Sequence, residues 1–455
     1  MDLEVLIARA VREVRKWEGS WGPYDRHPST HLELDAVVGV IAEYTGRLQD
    51  NYPFFHPRYA GQMLKPPHPA AIAGYVAAMC INPNNHALDG GPATAAMEME
   101  VVEQLAAMFG MAHPTLGHLT SSGTIANLES LWVARSLHPE KSVAFSSDAH
   151  YTHGRMCQVL GIETRVIPTD QDGRLDLAAL RRALRDGTVG TVVATAGTTG
   201  QGLVDPIDEI VAACLESGVR VHVDAAYGGF YALLGNSELL SPETRRNLKA
   251  ISRADSVVVD PHKHGLQPYG CGAVIFADPS VGRFYKHDSP YTYFTSDKLH
   301  LGEISLECSR AGAAAGAFWM TLKLLPLTRE GLGDVLAACR RAAMDWHGLL
   351  DASSVLEPVV RPELDIVTFF PSDVPLVASQ VSKASQAVFD AGMRAAEEPV
   401  FLSTLRLPTR RVRLGSKPVR RDKADTVVLR SVLMKPEHEQ NVQWLHQRVE
   451  ELASS

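Results

Sequence analysis

Short apolar runs alternate with amphipathic stretches through the middle of the chain. Six of these runs are rich in β-branched or other apolar residues, and they lie at 143–146, 164–167, 191–196, 219–224, 256–260 and 272–276. Apolar residues at helical spacing separate several of the runs, as in Leu177, Leu180 and Leu184. Alternating strands and helices predict an α/β domain with a mostly parallel central sheet. Strands that are apolar throughout predict burial on both faces of that sheet.

The pattern is less regular before residue 75. An amphipathic helix is predicted at the N-terminus, where Arg9, Arg12 and Arg15 follow a largely apolar start. The stretch 51–57 is rich in proline and aromatic residues. Because this part of the chain has too little regular apolar pattern to fold alone, we expect it to pack across another subunit or domain.

The pattern changes again after residue 325. The predicted elements there are a helix over 332–350, strands over 366–370 and 426–430, and a final helix over 437–452. They predict a smaller α+β domain. The expected limits are 1–75 for the N-terminal segment, 76–325 for the large α/β domain and 326–455 for the small domain.

Composition narrows the class of protein. The chain has 455 residues, of which 45% are hydrophobic and 21% charged, as in ordinary globular proteins. A net charge of −8 gives no electrostatic reason to expect nucleic acid or an anionic membrane as a partner. The six cysteines show no metal-binding spacing and are typical of buried thiols in a reducing compartment. With no signal-peptide core and no apolar stretch long enough to cross a membrane, a cytoplasmic protein without a metal site is expected.

Lys263 and Asp224 are the candidates for chemistry. Lys263 comes just after the apolar run 256–260 and before a glycine-rich turn, and Asp224 closes the run 219–224. Each residue alone has an ordinary interpretation, because most lysines are solvated and an aspartate at a strand end often forms a turn. Together they suit pyridoxal 5′-phosphate (PLP), which needs an amine for its aldehyde and a carboxylate opposite its protonated ring nitrogen.

PLP also needs a phosphate site and a flat partner for its ring. The stretch 120–127 places serine, glycine and threonine before an apolar helix, which offers hydroxyls and backbone N–H groups to a phosphate, although an ordinary helix cap has the same letters. Thr198 and Thr199 follow another apolar run, where open α/β sheets place their ligands. His150 follows the run 143–146 and could stack on a ring, although a lone histidine is more often structural.

The ordered motifs resemble those of the group II PLP-dependent amino acid decarboxylases of fold type I. The resemblance covers about residues 56–325 and continues faintly to the C-terminus. It rests on Thr120-Ser121-Ser122-Gly123-Thr124, Asp148-Ala149-His150, Ala196-Gly197-Thr198-Thr199, His222-Val223-Asp224-Ala225-Ala226 and Pro261-His262-Lys263. It implies the fold of the aspartate aminotransferase superfamily and the decarboxylation of an L-amino acid to an amine and CO2.

The resemblance assigns a role to each matched residue. Lys263 should form the Schiff base with PLP, and Asp224 should face the ring nitrogen. The other implied contacts are Ala226 and His150 on opposite ring faces, Gly123, Thr124 and Thr199 at the phosphate, and His262 at the phosphate or the substrate carboxylate. Where many relatives have asparagine, this chain has Asp260, which would repel a phosphate unless it faces elsewhere.

Other implied roles concern the substrate. Family members use a loop tyrosine to return a proton to Cα, and Tyr291 and Tyr293 are both candidates here, unless both are packing aromatics. Arg310 is expected at the phosphate or a carboxylate, with a salt bridge between subunits as the alternative. The family places substrate contacts at the motifs that contain His56 and His86.

The sequence alone leaves several interpretations of the function open. A carbon–carbon lyase would share Lys263, Asp224 and His150, and an oxidative deaminase would share the whole motif set. An aminotransferase would need a carboxylate-binding arginine in the small domain, for which the candidates are Arg406, Arg410, Arg411 and Arg413. A protein that does not bind the cofactor would be expected to have lost Lys263 or Asp224. The side-chain class of the substrate is open, and a homodimer is the family expectation.

Overall fold

The computed structural model describes residues 2–286 and 305–455. A seven-stranded sheet forms the centre of the large domain. Its strands are β1 (Leu116–Thr120), β2 (Ser142–Ser146), β3 (Thr164–Ile167), β4 (Val189–Thr195), β5 (Arg220–Asp224), β6 (Ser256–Val259) and β7 (Gly272–Phe276). They lie in the order β1-β7-β6-β5-β4-β2-β3, and only β7 runs antiparallel to its neighbours. The predicted mostly parallel α/β sheet is confirmed.

A second, antiparallel sheet lies in the small domain. It has the order β10-β13-β9-β8, and β11 and β12 form a separate pair. The strands are β8 (Leu356–Pro358), β9 (Ile366–Pro371), β10 (Ser403–Pro408), β11 (Arg413–Leu414), β12 (Lys417–Pro418) and β13 (Asp425–Val432). The predicted α+β character of this part is confirmed, although the sequence pattern indicated only β9 and β13.

Helices cover both sheets. They are α1 (Leu3–Gly19), α2 (Leu34–Leu48), α3 (Pro69–Met79), α4 (Pro92–Met108), α5 (Gly123–Leu137), α6 (Thr152–Leu160), α7 (Leu177–Leu184), α8 (Ile207–Ser217), α9 (Pro242–Ala250), α10 (Gly312–Leu324), α11 (Leu332–Asp351), α12 (Ala378–Arg394) and α13 (His438–Ala453). Among residues 2–286 and 305–455, none of the helices has the length and apolar character needed to cross a membrane.

The two domains share a core. Residues on β4, β5, β6 and β7 are buried throughout or nearly so, as expected for strands covered on both faces. Leu336 of α11, Ile366 of β9 and Val432 of β13 belong to the same apolar cluster as these strands. The small domain is therefore packed directly against the large one.

The N-terminal helices lie outside this core, although α1 packs on α3. No residue of α1 or α2 is buried. The apolar residues of α2 instead face outward, among them Leu34, Val38, Ile41 and Tyr44, each more than half exposed.

Candidate active site

The structure brings the eight predicted cofactor-binding residues to one cavity of about 240 Å³. They are Gly123, Thr124, His150, Thr199, Asp224, Ala226, His262 and Lys263. Six of them follow β2, β4, β5 or β6, or end β5, and thus lie at the carboxyl edge of the sheet. This is where open α/β sheets bind their ligands, because the strand ends and helix N-termini converge there.

Asp224 is buried and has a partner for each oxygen. Its Oδ1 accepts a hydrogen bond of 3.1 Å from the backbone N–H of Ala226, and its Oδ2 lies 2.8 Å from Nε2 of His153. Burial alone would raise the pKa of Asp224, but the bond from His153 and the nearby positive charge of Lys263 hold this pKa well below its usual value. The carboxylate therefore stays charged, as a partner of a protonated ring nitrogen must.

Lys263 lies in the turn after β6. Its Nζ is 2.9 Å from Oδ2 of Asp260, a carboxylate that is 3% exposed. The other oxygen of Asp260 has no hydrogen-bond partner in the described part of the chain. Asp260 thus faces the cavity and the amine, and it lies 3.6 Å from Nε2 of His262.

The start of α5 forms the part of the cavity suited to a phosphate. The Oγ of Ser122 caps the helix by accepting from the N–H of Ile125 at 3.3 Å, and Gly123 begins the first turn, whose N–H groups have no partner in the helix. A Cβ at position 123 would lie 2.6 Å from both carboxylate oxygens of Asp260, so only glycine fits there. The hydroxyl of Thr152 donates to that of Thr124 at 3.3 Å and places both at the cavity wall.

His150 and His262 line the cavity with neutral rings. Burial lowers the pKa of both side chains. His150 packs on Tyr151 with 4.3 Å between ring centroids, and its Nδ1 accepts from the N–H of Thr152. His262 donates from Nδ1 to the carbonyl oxygen of Cys271 at 2.7 Å, which fixes the orientation of its ring.

Other predicted residues lie outside this cavity. Arg310 donates to Glu98, to the carbonyl oxygen of Leu119 at 2.7 Å and to that of Asn85 at 2.9 Å. Its guanidinium therefore forms a buried ion pair within the chain, and it does not line the cavity.

The two predicted substrate histidines also lie elsewhere. His56 is exposed, and the Nδ1 atom of His86 is buried without a hydrogen-bond partner among the described residues. Neither lines the cavity. Tyr291 and Tyr293 lie outside the described residues. Of the four arginines considered for an aminotransferase, Arg411 is already bound to Asp148 and Gln201.

Sequence reasoning missed the residue that bonds to Asp224 from behind the cavity. His153 of α6 is fully buried and bonds to Asp224, which is 71 positions away in the chain. Nothing in the sequence pattern identified His153 as the partner of Asp224.

The cavity's residues fit PLP. An amine, a charged carboxylate, a helix N-terminus with hydroxyls and a neutral ring are the groups that this cofactor needs, and they line one cavity. The glycine at the start of α5 leaves space that a Cβ would fill.

Comparison with known proteins gives the context for this geometry. Residues 54–370 match the sequence profile of the family described as "Pyridoxal-dependent decarboxylase conserved domain". An L-tyrosine decarboxylase of Enterococcus faecium is 28% identical, with 76% of this chain and 74% of the relative covered. A probable L-tyrosine/L-aspartate decarboxylase of Methanothermobacter thermautotrophicus is 32% identical, with 69% and 82% covered. The crystal structure of Oryza sativa TDC with PLP and tryptamine has a TM-score of 0.80 at 19% identity, covers 100% of this chain and 98% of that chain, and shows the shared fold.

Proposed function

Since the chain belongs to the pyridoxal-dependent decarboxylase family and is a PLP-dependent amino acid decarboxylase, we propose that its reaction takes place in the cavity between Lys263 and Asp224. The observation that carries this proposal is the convergence of Lys263, Asp224 and the start of α5 on one cavity. When bound, PLP supplies an aldehyde that captures amines and a protonated ring that accepts the electron pair left by a departing carboxylate.

Each of the eight predicted cofactor-binding residues has a proposed part in holding the cofactor. Lys263 anchors it through its amine, and Asp224 holds the proton on its ring nitrogen. Gly123, Thr124 and Thr199 bind the phosphate through N–H groups and hydroxyls. His150 and Ala226 enclose the ring from its two sides, and His262 reaches the phosphate or the substrate carboxylate. Tyr291 or Tyr293 is proposed, from the sequence, to return the proton to Cα.

The proposed substrates are L-tyrosine and L-aspartate, because the names of the curated relatives contain them. An adjoining cavity of about 430 Å³ shares His150, Tyr151 and Thr199 with the first cavity, and the exposed Arg406 lies on its wall. A substrate side chain that extends into this space would meet a cation. Arg406 therefore supports an acidic side chain over an aromatic one.

We also propose a cytoplasmic homodimer with the three segments 1–75, 76–325 and 326–455. The outward-facing apolar residues of α2 support the dimer, because contiguous exposed apolar surface usually marks a contact with another chain. In such a dimer, His56 and His86 could serve the partner's cavity, and Arg310 would support it through its bond to Glu98.

The test is an absorption spectrum of the purified protein, read beside CO2 release from each proteinogenic L-amino acid. The wild-type protein should show a visible band and release CO2 from one substrate class. Lys263→Ala should lose both, whereas Lys383→Ala, at an exposed position, should keep both. A band and CO2 release that persist in Lys263→Ala would contradict the proposal.

A further inference from the structure

His153 makes one hydrogen bond through its ring, and that bond goes to Asp224. The distance from Nε2 to Oδ2 is 2.8 Å, and the histidine is fully buried. Because an ionised carboxylate can only accept, Nε2 must be the nitrogen that carries the hydrogen.

The rest of the ring has no polar partner. Nδ1 of His153 is buried without a hydrogen-bond partner in the part of the chain that the structure describes. The nearest aromatic rings are Phe145, at 6.0 Å between centroids, and His222, at 6.4 Å. A buried nitrogen without a partner costs stability, so packing alone gives no reason for a histidine at this position.

The hydrogen bond to Asp224 gives a reason for a histidine at this position. An isolated carboxylate at this depth would take up a proton, and a protonated Asp224 could not hold a positive ring nitrogen. The N–H of Ala226 fixes one oxygen of Asp224, and His153 fixes the other. With both oxygens bound, the carboxylate is kept charged and in one orientation.

We propose that His153 is a positioning residue for the cofactor, which keeps Asp224 ionised and aligned with the ring nitrogen of PLP. This inference rests on the proposed function of the cavity. The competing interpretation is that the bond only ties α6 to β5.

The experiment compares three substitutions of His153 in the full-length protein. His153→Leu removes the donor at similar volume. His153→Gln places an amide donor near the position of Nε2, and His153→Asn carries the same amide on a side chain too short to reach. The control is His118→Leu, because His118 forms a second fully buried histidine–carboxylate pair, 2.8 Å from Glu129, that does not line the cavity.

The readouts are the dissociation constant for PLP added to the apoprotein, the visible spectrum of the bound cofactor, and kcat and KM for the amino acid. We expect His153→Leu and His153→Asn to bind PLP more weakly by roughly tenfold to a hundredfold, the range for a lost hydrogen bond to a charged group. Their visible band should change and kcat should fall with little change in KM. His153→Gln should recover most of the affinity, and His118→Leu should lower the unfolding temperature without changing PLP binding.

Two results would overturn the inference. One is a wild-type dissociation constant and spectrum in His153→Leu, and the other is equal loss in the glutamine and asparagine variants. If His153→Leu does not fold, the comparison of His153→Gln with His153→Asn still tests the inference. Failure of the wild-type protein to bind PLP would refute the proposed function instead, and so the two failures are distinguishable.

Discussion

The hydroxyl of Tyr227 donates a hydrogen bond of 2.6 Å to Oδ1 of Asp365. Tyr227 follows β5 and lines the cavity, whereas Asp365 precedes β9 in the small domain. The other oxygen of Asp365 lies 3.2 Å from Nε2 of His264, the residue after Lys263. Burial would raise the pKa of Asp365, but His264 and Tyr227 lower it, so a charged carboxylate joins the small domain to the turn that carries Lys263.

We expect Asp365→Asn to destabilise the protein by about 2 kcal/mol, because a buried hydrogen bond to a charged acceptor becomes a neutral one. The free energy of unfolding, from denaturant titration at neutral pH with a fixed PLP concentration, measures this change. Asp345→Asn, at an exposed position on α11, should change it by less than about 0.5 kcal/mol. An equal effect of the two substitutions would show that the contact across the domains contributes nothing.

Lys435 should make stability rise with pH in the alkaline range. Burial and nearby Lys65 lower the pKa of Lys435 to about 7, and its Nζ donates to the carbonyl oxygen of Tyr59 at 2.6 Å. Between that value and the ordinary lysine pKa, the unfolded chain binds a proton that the folded chain does not. The free energy of unfolding should therefore rise from pH 7 to pH 10 by about 1 kcal/mol per unit from this group.

In Lys435→Met this slope should be smaller than in the wild-type protein, because methionine does not titrate. Denaturant unfolding at several pH values measures the slope, and Lys383→Met is the exposed control. Identical slopes in the wild-type protein and Lys435→Met would mean that the buried amine is charged in the folded state.

Asp260→Asn should tighten PLP binding. Asp260 lies against Gly123 at the proposed phosphate site, and it pairs with the amine of Lys263. Removing its charge lessens repulsion of a phosphate and frees the amine, so both effects act in the same direction. We expect roughly a tenfold lower dissociation constant, on the basis of about 1.4 kcal/mol of relieved Coulomb energy.

Titration of the apoprotein with PLP, followed by its absorption, measures this constant. Asp345→Asn again serves as the control, because it removes one negative charge at an exposed position. Weaker binding in Asp260→Asn would show that the carboxylate helps to position Lys263 more than it opposes the phosphate.

Ile41→Glu should convert the proposed dimer to a monomer. Ile41 is 54% exposed on α2 within the chain, and a second copy would bury it. Burying an unpaired carboxylate costs several kcal/mol, which is enough to separate subunits at micromolar concentration. Light scattering coupled to size-exclusion chromatography gives the mass, and Arg47→Glu near the end of the same helix is the control. A dimer that survives Ile41→Glu would place the interface elsewhere.

Much of the fold follows from the pattern of the chain. Strands β2 to β7 were predicted within a residue or two, because short β-branched or apolar runs differ clearly from amphipathic helices. The expected burial on both faces was wrong for β3, because it lies at the edge of the sheet and exposes Thr164, Arg165 and Val166. β1 was missed because Gly117 and His118 interrupt its apolar pattern, although His118 is buried beside Glu129. β10 alternates buried and exposed residues over a short stretch that includes Arg406, which resembles a loop.

The site residues were predictable from the sequence where a group of the cofactor requires one particular residue type. Lys263 and Asp224 belong to distinctive local motifs, and the fold brings them to one cavity. Hydrogen-bond and ion-pair partners that depend on how the helices pack on the sheet were not predictable from the sequence. The sequence offers many acids for Arg310, and the position of α4 selects Glu98. In the same way, only the packing of α6 on the sheet brings His153 to Asp224.

The two cavities share His150, Tyr151 and Thr199, but only the adjoining one has walls from the small domain. The cavity that holds Lys263 and Asp224 is built from the large domain, whereas β10 of the small domain supplies Arg406 and its neighbours to the adjoining space. On the proposed function, substitutions on β10 should therefore alter which amino acid is accepted while the proposed reacting groups stay in place. This division marks β10 as the segment to randomise when a new specificity is wanted, because its residues lie outside the cavity that holds Lys263 and Asp224.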